Sequence, residues 1–90
     1  MDRKKIEEMV DEVFEESFEI EKEQLSQEKG IFQDLGLDSL DIVDLIVALQ
    51  KKFGVKIRDD NRVREIRTLG DIYSFIESLY KEGSFTIDKN

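Results

Sequence analysis

The residues of this sequence best suited to chemistry lie in one short stretch, Asp38-Ser39-Leu40-Asp41. A serine hydroxyl acts as a nucleophile only when a neighbouring base takes its proton. The chain contains no His and no Cys, which excludes a Ser-His pair, a Cys-His pair and any metal site built from those ligands. We therefore predict no catalytic residue and no metal ligand. Ser39 must instead be activated by another protein or carry an attached group.

A helix over residues 39–53 is predicted to position this serine. Asp38 is a good N-cap residue, and Asp41 follows it at the spacing of a capping box. Gly54 is suited to end the helix. Ser39 would then lie in the first turn, beside backbone amides that have no intrahelical partner and at the positive end of the helix dipole. A phosphate group is stabilised at such a position.

A longer pattern around this serine resembles the acyl carrier protein family. It reads Asp-Leu-Gly-Leu-Asp-Ser-Leu-Asp over residues 34–41 and continues in an apolar helix. The likeness extends from about Ile31 to about Leu79. The helical residues that share it are Val43, Leu45, Ile46, Leu49 and Phe53.

This resemblance implies a covalent cofactor. In that family the serine carries a 4'-phosphopantetheine arm derived from coenzyme A, and the terminal thiol of the arm holds an acyl group as a thioester. Ser39 would be the attachment point, and Asp38 would both cap the helix and be recognised by the phosphopantetheinyl transferase. The arm would also supply the thiol that a Cys-free chain lacks.

The composition indicates one small acidic domain. The chain has 90 residues, with 14 Lys and Arg against 22 Asp and Glu, and a formal net charge of −8. Such a surface disfavours nucleic acid and anionic lipid and attracts basic partners. The N-terminus does not read as a signal peptide, and no apolar run approaches the ~20 residues of a membrane span. We expect a monomeric, cytoplasmic acyl carrier domain over residues 1–83, followed by a loose tail over residues 84–90.

Apolar periodicity predicts two further main helices. The first covers residues 2–16, and the last covers residues 69 to about 82, with Thr68 and Asp71 as a capping-box pair. The first has an apolar stripe of Ile6, Met9, Val10, Val13 and Phe14, and the last has Leu69, Ile72, Tyr73, Ile76, Leu79 and Tyr80.

Two segments between the main helices lack this periodicity. Residues 17–38 form a long connection with a short helical turn near its end, and residues 60–66 form a second brief turn. The fold class that follows is all-α: a small four-helix bundle with three main helices, one short helix and a long first loop. The family has this fold as well. The residues expected to point inward are Ile31, Phe32 and Leu35 in the connection, and Val63 and Ile66 in the second turn.

The helix over residues 39–53 has an apolar surface too wide for one buried stripe. We assign one series to the core and the remaining apolar residues to an outer docking patch. The resemblance implies that this outer face meets partner enzymes, whose Arg and Lys side chains pair with its acidic residues. The core series is Val43, Ile46, Leu49 and Phe53, with Leu45 at its edge, and the docking residues are Leu40, Asp41, Ile42, Asp44 and Val47.

The resemblance further implies that the acyl chain shelters between the helices. Burial there would stabilise the chain by about 0.8 kcal/mol per CH2 group. The predicted function is an acyl carrier that serves acyl-transferring and chain-elongating enzymes of fatty acid, lipid or polyketide-type biosynthesis. The candidate pocket residues are Val43, Ile46, Leu49, Ile66, Tyr73 and Ile76.

Two segments depart from the family pattern. Residues 50–52 read Gln-Lys-Lys where many members have several Glu residues, and residues 57–59 read Ile-Arg-Asp where many have Ile-Pro-Asp. The acidic surface is therefore shortened to the N-terminal half of the helix, and we hypothesise a carrier dedicated to its own enzymes. The basic residues before the last helix are Arg58, Arg62, Arg64 and Arg67.

Two other interpretations stay open, and two are disfavoured. An aminoacyl or peptidyl carrier shares the serine and the bundle, and a structural or regulatory partner could keep the fold without cargo. The acidic run from Asp59 does not match an EF-hand calcium loop, because Val63 and Arg64 occupy its positions 5 and 6. An independent enzyme is the least favoured, because so small a bundle offers no evident concave site for a substrate.

Overall fold

The computed structural model describes residues 2–57 and 61–83, and these form an all-α fold. The described ranges contain no β-strand, only one isolated bridge. The predicted fold class is therefore confirmed. The predicted tail lies outside the described residues, as do residues 58–60. The three main helices are α1 (Arg3–Phe18), α2 (Ser39–Phe53) and α3 (Leu69–Lys81).

Helix α1 packs against both α2 and α3. Asp2 is its N-cap, and the Asp2 carboxylate accepts a hydrogen bond from the Lys5 amide at 2.9 Å. It extends two residues beyond the predicted end, where Phe18 packs against Phe14 with ring centroids 5.9 Å apart. Its buried residues are Ile6, Val10, Val13 and Phe14.

Helix α3 begins with the capping box predicted from Thr68 and Asp71. The Thr68 hydroxyl accepts the Asp71 amide at 3.2 Å, and the Asp71 carboxylate accepts the Thr68 amide at 3.0 Å and the Arg67 amide at 2.9 Å. Desolvation raises the pKa of Asp71, but these hydrogen bonds and the Arg67 charge outweigh it, so the net shift is downward. The buried side includes Phe75, which the predicted stripe omitted.

The long connection between α1 and α2 is fixed to the start of α3 by backbone hydrogen bonds. The Ile31 amide donates to the Arg67 carbonyl at 2.9 Å, and the Gly70 amide donates to the Gln27 carbonyl at 3.0 Å. A short 3-10 helix, Lys22–Gln24, lies earlier in the connection. These bonds satisfy backbone groups that no helix or sheet would otherwise pair.

The helical turn predicted near the end of the connection is a tight hydrogen-bonded turn instead. The amides of Asp34 and Leu35 donate to the Gly30 carbonyl at 2.9 and 3.1 Å. Ile31 is fully buried and Leu35 is half-buried, as expected. The prediction for Phe32 is wrong, because its side chain is 44% exposed. Ile31 already fills the interior position, and the turn directs the next side chain outward.

A second short 3-10 helix, Asn61–Glu65, corresponds to the turn predicted over residues 60–66 and contacts α3. Ile66 is buried and Val63 is half-buried against the core, as expected. This segment therefore covers the side of the bundle between α2 and α3. None of the helices in the described ranges has the length and hydropathy needed to cross a membrane.

Candidate functional site

Ser39 is the first residue of α2 and is exposed to solvent. The predicted capping box is present around it. The Asp38 carboxylate accepts the Asp41 amide at 2.9 Å, and the Asp41 carboxylate accepts the Asp38 amide at 3.0 Å. Both carboxylates therefore hold the junction between loop and helix in one geometry.

The loop before α2 turns at Gly36. Its φ of 72° lies in the left-handed region that residues with a Cβ atom rarely adopt. The next residue, Leu37, is buried, and its amide donates to the Ile31 carbonyl at 3.2 Å. The turn and this buried leucine together place Asp38 at the start of the helix.

The Ser39 hydroxyl is exposed and is not held by a base from the described part of the chain. Among the described residues, no side chain is hydrogen-bonded to this hydroxyl, and no group of three or more potential metal ligands is found. An exposed hydroxyl in the first turn, surrounded by amides without intrahelical partners, suits a phosphate ester. The residues present therefore fit an arm that is joined through its phosphate.

An apolar cavity of about 220 Å³ opens beside Ser39. Helix α2 forms one wall, and the 3-10 helix Asn61–Glu65 and the start of α3 contribute the other. Of the predicted pocket residues, Ile46, Leu49 and Ile66 line it. The remaining lining residues are Phe32, Ser39, Ile42, Leu45, Val63, Arg64, Arg67 and Ile72.

The other three predicted pocket residues lie elsewhere. Ile76 and Tyr73 are buried in the core, and the Tyr73 hydroxyl is hydrogen-bonded to Asp11 of α1, away from the cavity. Val43 is 60% exposed. The assignment of Val43 to the core is therefore wrong.

This error comes from the rotation that we assigned to α2. Ile42 lies one turn before Leu45 and Ile46, which are both buried, so it shares their face. Val43 lies one turn after Leu40, on the solvent side. Ile42 is consequently half-buried and lines the cavity, which corrects its predicted place in the outer docking patch.

Three exposed apolar residues form a stripe along the solvent side of α2. Leu40 is 77% exposed, Val43 60% and Val47 42%, at the spacing i, i+3, i+7 of one helix face. Of the acidic residues predicted beside them, Asp44 is exposed, whereas Asp41 is half-buried and engaged in the capping box. Leu40, Val43 and Val47 are called the α2 stripe below.

Two residues of the Gln-Lys-Lys segment bond to other parts of the chain. The Gln50 side-chain oxygen accepts the Ile57 amide at 2.8 Å. Lys52 Nζ lies 2.8 Å from the Glu12 carboxylate of α1, and this hydrogen bond lowers the pKa of Glu12 and raises the pKa of Lys52. The departure from an acidic sequence here therefore has a structural role.

Sequence reasoning missed part of the cavity. Ile42 precedes Leu45 and Ile46 by three and four residues, but Val43 also precedes Ile46 by three, so spacing alone did not separate the two. No local sequence pattern places Arg64 and Arg67 at the cavity. They line it because the segment between α2 and α3 folds across its opening.

Comparisons with known proteins agree on one family. The family model described as a phosphopantetheine attachment site matches residues 8–76. The acyl carrier protein of Thermotoga maritima is 40% identical over 75 residues, which cover 83% of this chain and 91% of the relative. The acyl carrier protein of Wolinella succinogenes is 38% identical over 69 residues, which cover 77% of this chain and 90% of the relative. A solved structure of a candidate acyl carrier protein from Mycobacterium tuberculosis matches with a TM-score of 0.72 at 25% identity, over 81% of this chain and 96% of that chain.

Proposed function

The chain belongs to the acyl carrier protein family, and we propose that Ser39 is the residue that carries its 4'-phosphopantetheine arm. One observation carries this proposal: Ser39 is exposed at the first position of α2 and also lines the apolar cavity. The phosphate end of an arm attached there lies in solvent, where an enzyme can reach it. The acyl end of the arm can fold back into the cavity.

Attachment at Ser39 requires a base from a partner. The transfer forms a bond between Ser39 Oγ and phosphorus and breaks the pyrophosphate bond of coenzyme A, releasing adenosine 3',5'-bisphosphate. The serine proton must leave to a group of the phosphopantetheinyl transferase, because the chain has no His or Cys and no described side chain is hydrogen-bonded to the hydroxyl. In this role the chain is a substrate and carrier, and its partners supply the catalysis.

The cavity beside Ser39 is the proposed shelter for the acyl chain. Leu45, Leu49 and Ile72 are each 1% exposed or less, so the deepest part of its lining is apolar. Each CH2 group buried there would gain about 0.8 kcal/mol. A cavity of about 220 Å³ suits a short or medium chain better than a long one. This apolar lining favours an acyl cargo over the aminoacyl alternative.

The α2 stripe is the proposed docking surface for partner enzymes. It borders the attachment site through Leu40, the residue after Ser39, and the exposed Asp44 lies within the same helical segment. A partner with an apolar groove and a basic rim would match it. The rim charges would mainly raise the association rate and fix the orientation.

Intact mass spectrometry tests the attachment residue. The chain is incubated with coenzyme A and a phosphopantetheinyl transferase, and we expect a mass gain of one phosphopantetheinyl group. Ser39→Ala should show no gain, while Ser17→Ala, which alters an exposed serine of α1, should be modified like the wild type. A gain in Ser39→Ala would place the arm on another residue, and no gain in the wild type would favour the non-carrier alternative; either result contradicts the proposal.

We further propose that this carrier is dedicated to its own enzymes. The support is the pair of exposed arginines that line the cavity, Arg64 and Arg67, together with an acidic surface that is shortened to the N-terminal half of α2. A housekeeping malonyl transferase and ketosynthase should accept this chain more slowly than their own carrier. Equal rates with both carriers would contradict dedication.

A further inference from the structure

Two arginines line the same cavity as Ser39, and both are exposed residues. Arg64 lies in the 3-10 helix Asn61–Glu65, and Arg67 follows shortly after it. The Arg67 side chain is folded back on this segment, because its Nη1 donates to the carbonyls of Arg64 and Ile66 at 2.8 and 3.0 Å. Apart from these two and Ser39, the lining of the cavity is apolar.

Neither arginine forms an ion pair with a described carboxylate, although the chain is strongly acidic. Arg3, Lys22, Lys52 and Arg62 each pair with a glutamate in the described ranges. Arg64 and Arg67 have no such pair among the described residues. The Asp71 carboxylate interacts with the Arg67 charge, but it accepts a hydrogen bond from the Arg67 backbone amide and not from its guanidinium.

We propose that Arg64 and Arg67 bind the phosphate of the arm attached at Ser39. The inference rests on the proposed attachment, which fixes the phosphate beside the cavity mouth. Guanidinium groups are well suited to phosphate oxygens, and Arg67 is already oriented by two carbonyls, so little side-chain freedom is lost on binding. The deep part of the cavity is apolar and suits the hydrocarbon end of the cargo, while Ser39 and the two arginines are its exposed polar lining.

The contact between the arginines and the phosphate would hold the attached end of the arm against the cavity mouth. The arm then favours the conformation in which its acyl end enters the cavity, and a partner that extracts the cargo must replace the contact between arginine and phosphate. Arg64 and Arg67 are therefore positioning residues for the arm.

Phosphorus NMR of the modified protein tests this proposal directly. Modification is first confirmed by intact mass, so a failure of attachment is separated from a failure of the phosphate contact. We expect the phosphorus resonance of wild-type protein to differ from that of Arg64→Gln and of Arg67→Gln. The difference should shrink at 1 M salt, where the screening length falls to about 3 Å. Lys51→Gln is the matched control, since it removes one exposed positive charge outside the cavity lining.

Thermal unfolding gives a second measurement that does not depend on activity. Modification should raise the Tm of the wild-type protein more than it raises the Tm of either arginine variant. The difference between the two rises should be roughly 1–5 °C, as expected for a charge pair in a domain of this size. Lys51→Gln should show the wild-type rise. Arg64→Gln guards against misfolding, because the Arg64 side chain makes no hydrogen bond to a described residue.

Two results would contradict the proposed contact between the arginines and the phosphate. The same phosphorus resonance and the same rise in Tm in wild type, Arg64→Gln and Arg67→Gln would overturn the proposal. So would a difference that emerges only when the arm carries a malonyl group and is absent with a free thiol or an acetyl group. That last result would assign the arginines to a carboxylate of the cargo.

Discussion

The Tyr73 hydroxyl of α3 donates a 2.5 Å hydrogen bond to the Asp11 carboxylate of α1. Arg3 lies above the pair, with its guanidinium 5.7 Å from the Tyr73 ring centroid and 3.1 Å from the Glu77 carboxylate. Burial raises the pKa of Asp11 more than the hydrogen bond from Tyr73 lowers it. Burial and the bond to Asp11 both raise the pKa of Tyr73. The contact therefore joins two helices but keeps a carboxylate partly out of water.

We expect Asp11→Asn to reveal this desolvation through pH. Because the folded pKa of Asp11 lies above its ordinary value of 3.8, the native state binds this proton more tightly than the unfolded state. That contribution to stability is full below pH 3.8 and is lost as the pH rises through the raised pKa. Asn keeps an oxygen acceptor for Tyr73 but does not titrate. Wild type should therefore lose stability relative to Asp11→Asn between acidic and neutral pH, measured by urea unfolding.

Asp44→Asn is the control for this experiment, since Asp44 is exposed on α2. A stability difference between wild type and Asp11→Asn that is constant with pH, or that changes in the opposite direction, would show that burial does not control this carboxylate.

Asp71→Asn should show the opposite pH dependence. The folded pKa of Asp71 is lowered, so its stabilising contribution is present above pH 3.8 and lost as the pH falls through the lowered pKa. Loss of the charge from the capping box should reduce the free energy of unfolding at neutral pH by about 0.5–1 kcal/mol. The difference should disappear on acidification. Ser74→Ala, an exposed change on the same helix, should show no such trend, and a pH-independent loss in Asp71→Asn would refute the assignment.

Local sequence signals were sufficient for the helices and their caps. The pairs Asp38–Asp41 and Thr68–Asp71 each act across three residues, so their geometry depends little on the rest of the chain. The rotation of α2 was harder, because apolar residues surround most of that helix and only its neighbours decide which are buried. The exposure of Val43 depends on where α1 and the segment before α3 pack.

Alanine substitutions at Ile42 and Val43 test the corrected rotation. Ile42→Ala should lower the free energy of unfolding by about 1–2 kcal/mol, less than the 2–5 kcal/mol of a fully buried isoleucine, because Ile42 is half-buried. Val43→Ala should change it by less than about 0.5 kcal/mol. Val43→Ala should instead raise the KM of a phosphopantetheinyl transferase for this chain, because it removes the centre of the α2 stripe. A larger stability loss for Val43→Ala than for Ile42→Ala would restore the original rotation.

Gly70→Ala tests the close approach of the long connection to the start of α3 at Gly70 and Gln27. No local sequence pattern predicted this contact. A Cβ atom at Gly70 would lie 3.0 Å from the Gln27 carbonyl oxygen and 3.1 Å from its Cβ atom. Ala gains about 1 kcal/mol of helix propensity over Gly. The close contact between the added Cβ atom and Gln27 should lower the free energy of unfolding by about 1–3 kcal/mol. The Gln27 carbonyl cannot move away without losing its 3.0 Å hydrogen bond from the Gly70 amide.

The expected result is a net loss of stability in Gly70→Ala, with faster amide hydrogen exchange at Gly70, Leu69 and Ile31, the three donors that join the connection to the start of α3. Ser74→Ala is the control, because it also raises helix propensity, by a smaller amount, at an exposed position of α3. If Gly70→Ala were as stable as Ser74→Ala and its hydrogen exchange were unchanged, the connection would not depend on this close approach. In that case Ser39 would be positioned by the turn at Gly36 and the Asp38 cap alone.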